Sequence, residues 1–103
     1  MGRSRYKIVA PDQPHFVTMT VLHWIPVFTR PQTVGILLDS LRFLAKDGLR
    51  VYAWVVLENH GHFVLQSHNL GQDIMRLKSW TARNLIQYLA QRNVRQVLDQ
   101  LAF

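Results

Sequence analysis

The 103-residue chain has no cysteine. That excludes disulfides, thiolate metal ligands and a cysteine nucleophile, and it fits a reducing cytoplasm. Acidic residues are scarce: six Asp and Glu stand against twelve Lys and Arg, for a net charge of +6. A basic excess on so small a domain points to a polyanionic partner, of which nucleic acid is the commonest. Plain solubility charge is the other reading. No apolar run approaches the roughly 20 residues that cross a bilayer. The opening "MGRSRYKIVAPDQPHF" is basic and lacks the apolar segment of a signal peptide. The expectation is a cytoplasmic protein without membrane association. Hydrophobic residues make up 49% of the chain, enough for a core and too many for a disordered segment. One small domain is expected over 1–103.

The chain reads as a basic arm (1–14), a core (15–91) and a C-terminal segment (92–103). Arg3, Arg5 and Lys7 lie in the arm, which Pro11 and Pro14 keep extended. Residues 15–24 are β-branched and aromatic, with Thr18 and Thr20 alternating against Val17, Met19 and Val21, which predicts a strand. Pro31 suits the first turn of a helix, with Thr29 or Arg30 just before it. Val34, Leu37, Leu38, Leu41 and Leu44 or Ala45 recur at helical spacing over 31–46, and Gly48 is the expected left-handed stop. Two further strands, joined by a tight connection, fill 50–67 as a hairpin. A second helix over 72–91 carries Ile74, Leu77, Thr81, Leu85 and Tyr88 or Leu89 on one stripe, and 93–102 could form a short further helix. The order strand, helix, strand, strand, helix predicts an α+β fold. It lacks one strand of the βαββαβ ferredoxin-like unit, in which an antiparallel sheet carries two helices on one face.

The stretch "VYAWVVLENHGHFVLQ" sets two histidines inside an apolar ribbon. Residues i and i+2 of a strand share a face, so His60 and His62 project together, with Gly61 and Phe63 opposite. Phe63 and Leu65 suit the helix-covered side, which leaves the imidazoles on the open side. Two neutral imidazoles side by side can share a divalent cation, although a third ligand or substrate oxygens must complete the site. Glu58 and Asn59 flank the pair as possible oxygen ligands or supporting partners. A pair of ordinary surface histidines is the plainer reading.

With "ENHGHFVLQ", the opening "RYKIVAPDQPHFVTMTVLHWIPVFTRP", the helix "ILLDSLRF" and "DIMRLKSWTARNLIQYL" in this order, the chain resembles the HUH single-tyrosine transposases. The REP-associated members of that family are the nearest in pattern. The resemblance covers roughly residues 5 to 100. It implies a ferredoxin-like core, a homodimer and a single-stranded or hairpin DNA partner. It also implies a Mg²⁺ or Mn²⁺ ion held by His60 and His62, and cleavage and rejoining through a 5′-phosphotyrosyl link. Lys78, Ser79 and Arg83 match the family's positions in the second helix. The middle residue of the histidine motif is Gly61, where the family has a hydrophobic residue, and this is expected to weaken strand packing. Glu58 stands where proline is usual. The family's tyrosine helix, a Tyr-Ile-x-x-Asn-Pro stretch, is not in the sequence, so the chain is expected to be the N-terminal part of such a domain. Tyr88 is the one helical tyrosine that could replace the nucleophile, but it falls on the apolar stripe. Tyr52 reads as a packing or stacking residue on the sheet.

Nucleic acid needs cations for its phosphates. Arg3, Arg5 and Lys7 in the arm, with Arg76, Lys78, Ser79 and Arg83 in the second helix, are the candidate contacts. Trp54 or Trp80 could stack an unpaired base, although half-buried core positions are the preferred reading of both. Three other readings stay open: a DNA-binding remnant that does not cut, an RNA-binding ferredoxin-like module and a metal-free structural homodimer. No aromatic-rich RNP-like stretch supports the RNA reading. Without a fourth strand, the first is expected to form a sheet edge that a second copy, swapped elements or residues 93–103 cover.

Overall fold

The computed structural model describes residues 13–21 and 25–92. The arm residues Arg3, Arg5 and Lys7 and the helix expected over 93–102 lie outside the described residues. The elements follow the expected order: β1 (His15–Thr20), α1 (Pro31–Lys46), β2 (Arg50–Val56), β3 (His60–Gln66) and α2 (Leu70–Gln91). The fold is α+β, with an antiparallel three-stranded sheet in the order β1-β3-β2. β1 is therefore an edge among the described residues, as expected. It is shorter than the strand expected over 15–24, because Val21 lies outside it and 22–24 lie outside the described residues. α2 begins two residues earlier than periodicity implied, because Leu70 is itself buried in the core.

Pro31 starts α1 after an extended Arg30, but neither Thr29 nor Arg30 caps the helix with its side chain. Thr33, one turn in, instead donates its hydroxyl to the Arg30 carbonyl at 3.1 Å. The other end closes as expected. Gly48 has φ 106°, where a side chain would crowd the backbone. Its N–H bonds the Ala45 carbonyl at 3.2 Å, and the Leu49 N–H bonds the Leu44 carbonyl at 3.1 Å. These two bonds make a Schellman motif, and the buried Leu49 and Leu44 supply the apolar pair that accompanies it. Gly48→Ala is expected to lower the unfolding free energy by about 1 kcal/mol in urea denaturation. An unchanged midpoint would contradict this account of the turn.

The core joins one face of the sheet to both helices. Val17 and Met19 of β1 and Phe63 and Leu65 of β3 bury against Leu37, Leu41 and Leu44 of α1 and Leu70, Ile74, Leu77, Leu85 and Leu89 of α2. Gly61 belongs to this face and is buried. It does not leave a gap in the strand: the Phe63 ring occupies the space, with its Cζ 2.7 Å from where a Gly61 Cβ would stand. The two helices also share one buried polar contact, in which Thr81 donates to the Ser40 hydroxyl at 3.1 Å.

Candidate metal and nucleic-acid site on the open sheet face

Because side chains alternate along a strand, the register defines the other face. Phe16, Thr18 and Thr20 of β1 stand opposite Val64, His62 and His60 of β3. From β2, Ala53 and Val55 stand opposite Val64 and His62. His60 and His62 thus share the face turned away from the core, as their spacing predicts. Their rings lie edge to face, with centroids 4.9 Å apart and planes at 79°.

The hairpin turn fixes where this pair sits. The Leu57 N–H bonds the His60 carbonyl at 2.7 Å, which leaves Glu58 and Asn59 as a two-residue connection. Their carbonyls are also engaged, Asn59 by the Val21 N–H at 2.9 Å and Glu58 by the Phe28 N–H at 2.8 Å. The mouth of the hairpin is therefore tied to the residue after β1 and to the loop before α1. Each imidazole has a partner on its near nitrogen. Asn59 Oδ1 accepts from His60 Nδ1 at 2.7 Å, which places the lone pair of the neutral ring on Nε2. Thr18 Oγ1 and His62 Nδ1 are hydrogen-bonded at 3.1 Å. Phe16 stacks on His62 with centroids 5.4 Å apart and planes within 25°. Asn59 therefore orients a histidine, while Glu58 is exposed.

His60 and His62 can supply two legs of a metal site. Among the described residues, no group of three or more His, Cys, Asp or Glu side chains converges. The remaining positions would fall to water, substrate oxygens or residues elsewhere in the chain. Neither tyrosine nominated from the sequence joins the pair. Tyr88 packs partly buried against the core, on the opposite side of the sheet, with Arg92 over its ring at 5.3 Å. Tyr52 is on the open face but donates its hydroxyl to Gln66 Oε1 at 2.5 Å. Gln66 is four residues from His62 along β3, about 13 Å at the usual strand rise.

The candidate phosphate contacts of α2 form a different surface. Arg76, Ser79 and Arg83, with Phe43, Ser40, Leu44 and Trp80, line a groove of about 230 Å³ between the helices. Phe43 and Trp80 stack across it, with centroids 5.3 Å apart and planes at 2°. Trp80 is 41% exposed, the half-buried state expected of it. Arg76 already pairs with Asp47 at 3.1 Å and Asp73 at 3.6 Å. Arg83 is exposed, and no carboxylate pairs with it among the described residues. Lys78 stands apart from the groove, and burial pushes its ammonium below the ordinary lysine value. Helical spacing carried that signal, since positions 76, 79, 80 and 83 share a face and 78 does not. The groove belongs to the helix layer and the histidines to the opposite sheet face, so Arg76, Ser79 and Arg83 form one surface and His60 and His62 another, with Lys78 outside the groove.

Sequence reading missed Phe16. The alternation that buries Val17 and Met19 turns Phe16 outward with Thr18 and Thr20, as the one apolar residue on that side of β1, and it is 67% exposed. No family model matches the chain, and no curated protein matches it. No helix among the described residues is long and apolar enough to cross a membrane.

Proposed function

We propose that the chain is the sheet-and-helix part of a ferredoxin-like, single-stranded-DNA-binding domain of the HUH transposase type. In this reading His60 and His62 hold a Mg²⁺ or Mn²⁺ ion beside a DNA phosphate. The observation that carries it is the placement of both imidazoles on the open sheet face, with Nδ1 of each engaged by a neighbour. The motif resemblance over most of the chain and the net charge of +6 support it. The bound ion would polarise a phosphoryl oxygen as a Lewis acid. The protein's own part is to orient the imidazoles, through Asn59 and Thr18, and to hold the strand on a face free of strand carboxylates.

Cleavage through a phosphotyrosine link belongs to this proposal only if a tyrosine reaches the pair from outside the described residues. The positions of Tyr52 and Tyr88 favour a second form, in which the chain binds hairpin or single-stranded DNA and does not cut it. In both forms the edge of β1 is the surface through which a second copy or further chain would extend the sheet, consistent with a homodimer.

Mn²⁺ binding followed by electron paramagnetic resonance tests the site without requiring catalysis. The chain is expected to take up one weakly held ion, tightened by a single-stranded oligonucleotide. His60→Ala/His62→Ala is expected to abolish this uptake while keeping the fold by circular dichroism. Uptake unchanged in the folded double variant, or no uptake by the wild type with DNA present, would overturn the reading.

A further inference from the structure

We propose that the open sheet face binds an unpaired base of single-stranded DNA, with Phe16 as the ring on which the base stacks. The inference rests on the DNA-binding reading above and adds a recognition element that the histidine pair does not contain.

Phe16 has no part in the core. Two-thirds of its surface is exposed, and burying an aromatic ring is strongly favourable, so its position calls for a partner. It is nevertheless held in place. One face lies on His62, and His62 is tied to Thr18. A ring already oriented loses little freedom when something stacks on it. Beside it is a shallow hollow floored by Ala53, Val55 and Val64 with His62 at one side. Val55 is 52% exposed, so the hollow is apolar and open to a flat group.

Charge selects the occupant. The three strands contain no Asp or Glu; their only formally charged residue is Arg50, beside three histidines. Asp39 and Asp73 lie in the helices and Asp47 at the end of α1, leaving Glu58 in the hairpin turn. The carboxylates of the described residues are thus excluded from the strands that form this face. An exposed aromatic ring, small aliphatic neighbours and no fixed negative charge suit a base whose phosphate runs nearby. A paired base offers no face to such a surface, so the partner is single-stranded. The same aromatic-on-sheet chemistry gives no contiguous sequence motif here, because Phe16 and Tyr52 come from opposite edges of the sheet.

The test uses the whole chain and a thymine-rich single-stranded oligonucleotide carrying one 2-aminopurine, titrated at several salt concentrations. Wild-type protein is expected to bind and to change the 2-aminopurine emission. Phe16→Ala is expected to bind roughly 5- to 100-fold more weakly and to lose the emission change. Its salt dependence should stay the same, because no phosphate contact has been removed. Phe16→Trp should restore both affinity and emission change. Because Phe16 is exposed, Phe16→Ala should keep its melting temperature, and this is checked first. If the wild type binds and Phe16→Ala binds equally well, the stacking inference fails while DNA binding stands. If the wild type binds no single strand, both fall. A Phe16-dependent dimer in sedimentation, with DNA affinity unchanged by the substitution, would make the face a self-association surface and overturn the inference. So would Phe16-dependent binding that prefers the matching RNA.

Discussion

A Gly61→Val protein is expected to unfold with about 1–3 kcal/mol less free energy than the wild type. The cause is local. A Cβ at position 61 would stand 2.7 Å from Phe63 Cζ, 2.9 Å from Phe63 Cε2 and 3.4 Å from the Val55 carbonyl oxygen. Valine adds two methyl groups to that conflict. The ring that would have to move is 1% exposed and packed into the core, so it cannot swing to solvent. Replacing a glycine within a strand would otherwise help by about 0.5–1 kcal/mol through lost chain entropy, so the steric term decides the sign. Phe63→Leu removes the far end of the ring. The double variant is therefore expected to be more stable than the sum of the two single losses. Strict additivity in urea denaturation would refute this account. The same clash falls between His60 and His62 on the strand, so Gly61→Val is also expected to weaken Mn²⁺ uptake.

Gly61 shows what could be read from the sequence and what could not. The glycine was visible as a departure from a hydrophobic position, and read alone it implied a weak point. Its neighbour two residues along fills the space, and that depends on one rotamer rather than on spacing. The elements themselves were legible because they rest on local rules. Pro31 and Gly48 bracket α1 through backbone preferences, and the alternation in β1 and β3 follows from the pleat. The histidine pair was legible for the same reason. The division of the basic residues was not. Arg76 and Arg83 share the Phe43–Trp80 groove because two helices pack together, and no window of one helix contains that fact. The Asp47 partner of Arg76 is likewise supplied by the end of α1. Phe16 lies between these cases. Its face could be counted from Val17, but its value depends on His62 stacking from another strand.

The contact between the helices gives the second large effect. Ser40→Ala is expected to cost about 1–3 kcal/mol, and Thr81→Val closer to about 1 kcal/mol. Both hydroxyls are fully buried, and their roles differ. Thr81 donates to Ser40 Oγ at 3.1 Å, while Ser40 donates to the Ile36 carbonyl at 2.9 Å. Removing the Thr81 hydroxyl leaves Ser40 still donating within its own helix, so little is stranded. Removing the Ser40 hydroxyl leaves the buried Thr81 donor without its acceptor, and its desolvation is then uncompensated. A turn back to its own helix carbonyl would recover part of that cost, which sets the lower end of the range. The double variant should lose less than the two single losses combined, because nothing polar remains to be satisfied there. Equal and additive losses in chemical denaturation would mean that the two hydroxyls act independently, and the directional pairing of α1 with α2 would have to be abandoned.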